Sequence, residues 1–231
     1  VVDIDFGNTD SYTGSGTTVT DLTGTFSPTM VGSPTYNSAN AGYFNFDGVN
    51  DFLRLNGAGN YLMYSTSDAT VADTTVETWM KWNTIRNKYF YQVYPTTMTT
   101  SSGTPANYLL ALVDFGVGAM WYASQNSGGN SSQFQSWTSN INATSSAWHH
   151  IAFRISDTAL NIMIDGTSLG NTTFTNLHTN TTGSPTRYGM DQIPKNDSDD
   201  VDIAAFRYYD KYLTDAEVRS NWFARKGRFG L

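Results

Sequence analysis

The C-terminal stretch DVDIAAFRYYDKYLTDAEVRSNWFARKGRFGL, residues 200–231, decides the fold. Its first part alternates: Val201, Ile203, Ala205 and Arg207 fall on one side, and Asp202, Ala204, Phe206 and Tyr208 on the other. A period of two marks a strand, and so few polar groups interrupt it that both faces are expected to be covered. The second part spells out a helix start. Thr214-Asp-Ala-Glu217 is a capping box, in which the Thr214 hydroxyl accepts from the Glu217 amide and the Glu217 carboxylate reaches back to the Thr214 amide. Leu213 before the cap and Val218 four residues after it form the matching apolar staple. Arg225 and Lys226 suit the negative end of the helix dipole, and Gly227 is the expected stop. The reading is a helix over 213–226 followed by a basic and apolar tail, 227–231. One helix at the end of a strand-rich chain has to pack on a sheet.

Upstream the same period recurs. VETWMKW, residues 76–82, puts Val76, Thr78, Met80 and Trp82 on one face. Ile151, Phe153 and Ile155 form one apolar row, Leu160, Ile162 and Ile164 another, as in two paired antiparallel strands. Asp165-Gly166 then supplies the positive φ of a hairpin turn. YFNF (43–46) and DFLRL (51–55) are two short strands flanking a turn that contains Asp47-Gly48 and Asn50-Asp51. The 231 residues are 39% hydrophobic and 14% aromatic but only 14% charged, and Thr, Ser, Asn and Gly fill the gap. That composition suits many short strands joined by polar turns and disfavours a helical bundle. The expected architecture is one all-β domain over 1–231, a two-sheet antiparallel jelly-roll sandwich with one short C-terminal helix. A net charge of −7 argues against non-specific nucleic-acid binding. There is no apolar run long enough to cross a bilayer and no signal-like start, so no membrane insertion is expected. With no Cys, disulfides and thiolate metal sites are excluded.

In this order, DLTG (21–24), PTYNSANAGYFNFDGVNDFL (34–53), TVETWMKW (75–82), WHHIAFRI (148–155), LNIMIDGTSLG (160–170) and VDIAAFRYYDKYLTDAEV (201–218) resemble the laminin-G-like, concanavalin A-like jelly-roll family. The resemblance implies a sandwich whose first and last strands are neighbours. It leaves function open among lectins, carbohydrate-binding modules, adhesion domains and enzyme scaffolds. The opening NTDSYTGSGTTVTDLTG and the ending NWFARKGRFGL are similar to copies of this domain in tailed-bacteriophage virion proteins. The expectation is therefore a non-enzymatic structural or surface-attachment protein of a virion (a decoration, fibre or tail appendage) with glycan binding as a further property. A carbohydrate-binding module of a bacterial secreted or surface protein is the alternative. Expected partners are other virion proteins, further copies of the chain and host-surface glycans.

Retaining glycosidases set two carboxyl groups about 5–5.5 Å apart on one face. A glucanase of this fold would need paired Glu residues in a Glu-x-Asp-x-x-Glu arrangement. The chain has only Glu77 and Glu217, with no second Glu near Glu77, so catalysis is not expected. His149 and His150 are strand neighbours facing opposite ways and read as structural. For sugar stacking, exposed aromatics beside amides are wanted: Trp137 with Gln135, then Trp121 and Tyr91, are the candidates, and Trp79 is a lesser one. No cofactor is required, but Ca²⁺ would suit Asp47, Asn50 and Asp51 within one turn, with Asp202 from the acidic cluster near the last strand. Arg225, Lys226, Arg228, Phe229 and Leu231 combine positive charge with apolar groups and are expected to dock on a neighbouring subunit.

Overall fold

In a computed structural model of the chain, the residues described are 1–55, 73–84, 94–95, 109–114, 119–127, 131–138, 146–156, 158–173, 188–189, 192–194 and 200–231. Within 94–95, 109–138, 172–173 and 188–189 the description is of backbone pairing alone. The first strands are β1 (Val2–Asp5), β2 (Thr29–Val31), β3 (Thr35–Asn37), β4 (Tyr43–Phe46) and β5 (Phe52–Arg54). Then come β6 (Thr74–Thr84), β7 (Tyr94–Pro95), β8 (Leu109–Asp114), β9 (Ala119–Ser127) and β10 (Ser131–Thr138). The last are β11 (His149–Ile155), β12 (Ala159–Ile164), β13 (Thr167–Thr173), β14 (Tyr188–Gly189), β15 (Gln192–Ile193) and β16 (Asp200–Tyr209), followed by helix α1 (Asp215–Arg225).

Eight strands form one antiparallel sheet in the order β13-β12-β11-β6-β16-β4-β3, with β1 also on β16. The long strands β6 and β16 run along each other at its centre. On its other edge β16 takes β4 against Val201–Ile203 and β1 against Ala205–Tyr208. The first and last strands are thus neighbours, as expected. Smaller antiparallel sheets are β15-β5-β2, β10-β9-β8 and β14-β7. The turn between YFNF and DFLRL does not make a hairpin: β4 belongs to the large sheet and β5 to a smaller one. Gly48, at φ 74°, turns the chain from one to the other, and Asp47 Oδ1 accepts the Val49 amide at 2.9 Å.

The inner face of the large sheet carries the apolar rows read from the sequence: Val76, Met80 and Trp82; Ile151, Phe153 and Ile155; Leu160, Ile162 and Ile164. Leu53, Leu55 and Ile193 from the facing sheet close the same core. Burying a side chain of this size stabilises by about 1.5–3 kcal/mol, so these rows hold the sheet in register. The alternation of β16, however, breaks. Val201 and Ile203 face the main core, and so do Phe206 and Tyr208. Between Ile203 and Ala205 the pairing with β6 slips, Ile203 lying opposite Met80 and Ala205 opposite Trp79. Two residues of β16 span one step of β6, a β-bulge that reverses the parity of everything after it.

The outer face is covered in part by the C-terminal segment. Both halves of the capping box are present: the Glu217 amide donates to Thr214 Oγ1 at 3.2 Å, and the Thr214 amide donates to Glu217 Oε2 at 2.7 Å. Leu213 and Val218 bury themselves against Ala152 and Met163. Arg154, 2% exposed, rises from β11 to donate to the Leu213 carbonyl at 2.8 Å and to pair with Asp215 at 2.7 Å, and it also donates to Asn161. The helix does not stop at Gly227. It tightens into a 3₁₀ turn over Lys226–Phe229 and closes on Gly230 at φ 75°.

The tail residues expected to dock on a neighbouring subunit make contacts within their own domain. Arg225 and Arg228 both reach the Asp5 carboxylate at 2.6 Å. Burial alone would raise the Asp5 pKa, but the two guanidiniums outweigh it and hold the carboxyl below its ordinary value. Arg228 further donates to the carbonyls of Gly42, at 2.6 Å, and Asn40. Phe229 stacks on Trp79 with centroids 4.3 Å apart, and Lys226 lies over Trp222 and Phe223. Of the five residues, Leu231 alone is classed as exposed.

Candidate functional site

Because Met80 and Trp82 point into the core, Lys81 and Asn83 on β6 point outward beyond the cover of the C-terminal turn. The register brings Asp202 opposite Lys81 on one side and opposite Asn45 of β4 on the other. Lys81 Nζ pairs with Asp202 Oδ2 at 2.7 Å. Asn45 Nδ2 donates to Asp200 Oδ1 and Asp202 Oδ1, both at 2.9 Å. Asn83 Nδ2 donates to the same two atoms at 3.2 and 2.7 Å. The ammonium lies 5.4 Å from the ring centre of Tyr43 and 5.6 Å from that of Trp148. These rings meet edge to face, 5.2 Å apart at 72°. The result is a patch with one half-buried aromatic face, two amides and a carboxylate pair, the set of groups that orients sugar hydroxyls.

A second polar group lies beneath α1. Glu77, Trp79, His150, Ala205, Arg207, Asn221 and Arg225 line a cavity of about 10 Å³. That is room for roughly one water molecule and for no sugar. Burial pushes the Glu77 carboxyl up to about 7, against the Asn221 amide, which donates to Oε2 at 2.9 Å, and the charge of Arg207. Burial likewise pushes His150 down to about 4; Asp165 opposes this shift, and Arg207 and Arg225 add to it. His150 Nε2 is 3.8 Å from Glu77 Oε1. Burial and the Glu77 charge also push Tyr209 up to about 12. Glu217 is bound to the capping box and to Lys211 at 2.6 Å.

The residues expected to hold sugar or metal fare differently. Trp121, Gln135 and Trp137 sit on β9 and β10, where Trp137 is directly opposite Trp121 in register. Their side chains, and Tyr91 altogether, lie outside the described residues. Trp79 is buried under Phe229 and can stack on no ligand. Of the calcium candidates, Asp47 and Asp51 share one turn, the Asp47 amide donating to Asp51 Oδ2 at 3.5 Å. Asp51 is buried; its Oδ1 accepts the Ser33 amide at 2.7 Å and packs so close to Gly32 that a Cβ there would lie 2.1 Å away. Asp47 holds its own turn, Asp202 is neutralised by Lys81, and Asn50 is only an exposed turn residue. Among the described residues no group of three His, Cys, Asp or Glu could hold a metal ion. His149 and His150 do face opposite ways, His149 to Asp165 at 2.7 Å and His150 to Trp79. The patch residues Tyr43, Asn45, Lys81, Asn83 and Trp148 were not singled out in the sequence. The alternation that put Met80 and Trp82 inside also put Lys81 and Asn83 outside, but their partners depend on register.

A large antiparallel sheet closed by a facing sheet, clasped by its terminal strands and carrying an open polar-aromatic face, defines a lectin-like jelly-roll domain. Residues 56–219 match the laminin-G-like family model described as the concanavalin A-like lectin/glucanases superfamily, and the chain belongs to that family. No curated protein matches the chain in sequence. Among solved structures it is similar to botulinum neurotoxin type C, a toxin whose cell entry depends on interaction with two ganglioside molecules. The identity is 12%, the TM-score 0.59, and the match covers 97% of this chain and 50% of that one. It is similar also to domain 4 of an extracellular arabinanase from Geobacillus stearothermophilus, in complex with arabinotriose. There the identity is 16%, the TM-score 0.60 and the coverage 95% and 96%. A sialidase from Trypanosoma rangeli in complex with sialic acid matches at 12% identity and TM-score 0.60, over 99% of this chain and 33% of that one. The chain thus spans half of the neurotoxin chain and a third of the sialidase chain. At these identities the likeness is one of fold.

Proposed function

We propose that this domain is a non-enzymatic glycan-binding module whose ligand rests on the outer patch of Tyr43, Asn45, Lys81, Asn83 and Asp200. The observation that carries the reading is the pair of amides flanking the Asp200–Asp202 carboxylates beside the Tyr43 ring. The ganglioside dependence of the neurotoxin and the arabinotriose complex of the arabinanase domain support the ligand class. Catalysis finds no support in the two Glu residues, one sealed under a helix and the other capping it. Replacing Asn83 or Tyr43 by Ala should abolish retention on a glycan array while leaving the thermal melt within a few degrees of the parent. Retention that survives both changes would refute the site.

The setting that the opening and ending segments support is the surface of a tailed-bacteriophage particle, where the module would attach the particle to host glycans and assemble with further copies and other virion proteins. Mass spectrometry of purified particles tests it. The alternative setting is a bacterial secreted or surface protein, supported by the nearly end-to-end match to the arabinanase domain. Trp121 and Trp137, paired in register, are proposed as a second sugar contact, and Trp137→Ala tests that contact in the same assay.

A further inference from the structure

We infer that the patch selects uncharged sugars and turns away sialylated, sulfated or phosphorylated ones. The inference rests on the glycan-binding reading above and follows from the hydrogen-bond polarity of the site. An Asn side chain has two N–H donors on Nδ2 and an acceptor oxygen. Asn45 directs both donors to carboxylate oxygens, one to Asp200 and one to Asp202, and Asn83 does the same. The opposite amide orientation would set two oxygens against two carboxylates, so the chemistry itself fixes which end is nitrogen. The ammonium of Lys81 is held by Asp202 at 2.7 Å and lies over Tyr43 and Trp148.

What remains open on the amides and carboxylates of the patch is therefore acceptor only: Oδ1 of Asn45, Oδ1 of Asn83 and Oδ2 of Asp200 accept hydrogen bonds and cannot donate them, while the donors beside them are the Tyr43 hydroxyl and the Lys81 ammonium, the latter held by Asp202. A sugar hydroxyl can donate to each acceptor. A carboxylate, sulfate or phosphate brings acceptors and negative charge to a surface that already presents both. The two carboxylates outnumber the one cation, so the field does not rescue an anion. One like charge at about 4 Å weakens binding from roughly fivefold under water-like conditions to roughly a thousandfold under surface dielectric conditions.

The test is an array of paired oligosaccharides, each uncapped and sialic-acid-capped (lactose and sialyllactose for one pair), together with neutral arabinotriose. It is probed with the parent, Asn83→Ala, Tyr43→Ala and Asp200→Asn. The expected result is retention of uncapped members, at least about fivefold weaker retention of their capped partners, and a smaller gap in Asp200→Asn and at high salt. Capped members bound as well as uncapped ones, with both lost in Asn83→Ala, would overturn the selectivity and leave the site standing. No retention of any member, or retention indifferent to Asn83→Ala and Tyr43→Ala, would overturn the glycan reading and this inference together. The comparison within the parent needs no variant to fold.

Discussion

Glu77 and His150 form a buried pair whose two perturbations cancel in the folded domain and separate when either is removed. In an unfolded chain the acid titrates near 4.5 and the imidazole near 6.5, whereas in the fold burial sets them near 7 and 4. The fold therefore moves the proton from His150 to Glu77, so that both groups are neutral between about pH 4 and 7. Proton uptake by the pair occurs near 4.5 and 6.5 unfolded and near 4 and 7 folded, so its net effect on the pH dependence of stability is below about 1 kcal/mol. Glu77→Gln keeps an acceptor for Asn221 but leaves His150 alone. A base with a depressed folded pKa contributes stability that is intact above 6.5 and is lost as pH falls toward 4, by about 3 kcal/mol in all. His150→Gln leaves Glu77 alone. An acid with a raised folded pKa contributes stability that is intact below 4.5 and is lost as pH rises toward 7, again by about 3 kcal/mol. The assay is urea unfolding from pH 4 to 8, with each variant subtracted from the parent so that all other titrations drop out. Opposite slopes are expected. Differences that stay constant with pH in both variants would refute the neutral buried pair.

Thr214→Ala removes the cap that the Glu217 amide uses and should cost about 1 kcal/mol by urea midpoint; an unchanged midpoint would dismiss the cap. Arg154→Met takes away the donors of Asn161 and Leu213 and should cost about 3 kcal/mol, because those acceptors are buried. Phe229→Ala should cost about 3 kcal/mol in the isolated domain through the cavity left between Trp79 and Trp148. A tail that docks on another subunit would leave the melt of the isolated domain unmoved.

Much of the fold was legible because burial follows parity. Val76, Met80 and Trp82, or Ile151, Phe153 and Ile155, announce one covered face without any knowledge of their neighbours. The bulge in β16 was not legible, since Ala204 and Ala205 look alike on either face and carry no signal of a slipped register. The sides were therefore assigned wrongly from Ala205 onward, while Ala204 was placed correctly with Asp202. The turn after YFNF was legible as a turn but not as a crossing between sheets, because Asp47-Gly48 fixes backbone dihedrals and not the destination of the chain. The local role of Asp47 and Asp51 was not legible for a physical reason: the oxygens that would suit a cation also satisfy local amides, and here Asp47 accepts from Val49 and Asp51 from Ser33. The contacts of the basic tail within the domain were not legible either, since its counter-charge Asp5 lies more than two hundred residues away in sequence and a count of local charge cannot find it.

The clasp and the patch are mechanically one object. Asp5 on the first strand fixes Arg225 and Arg228, which fix the 3₁₀ turn that carries Phe229. Phe229 lies against Trp79 on one side and Trp148 on the other, and Trp148 supports the edge of Tyr43. Lys81, held over both of these rings, in turn places Asp202 between the two amides. The groups that would face the proposed ligand are thus set by contacts reaching back to both ends of the chain, and none of them stands on a free loop. Such a surface is preorganised: a bound sugar orders few side chains that the fold has not already ordered, and little affinity is lost to that cost. It follows that loosening Phe229 should weaken ligand retention even though Phe229 touches no ligand, whereas loosening Val218, on the part of α1 away from the patch, should lower stability alone.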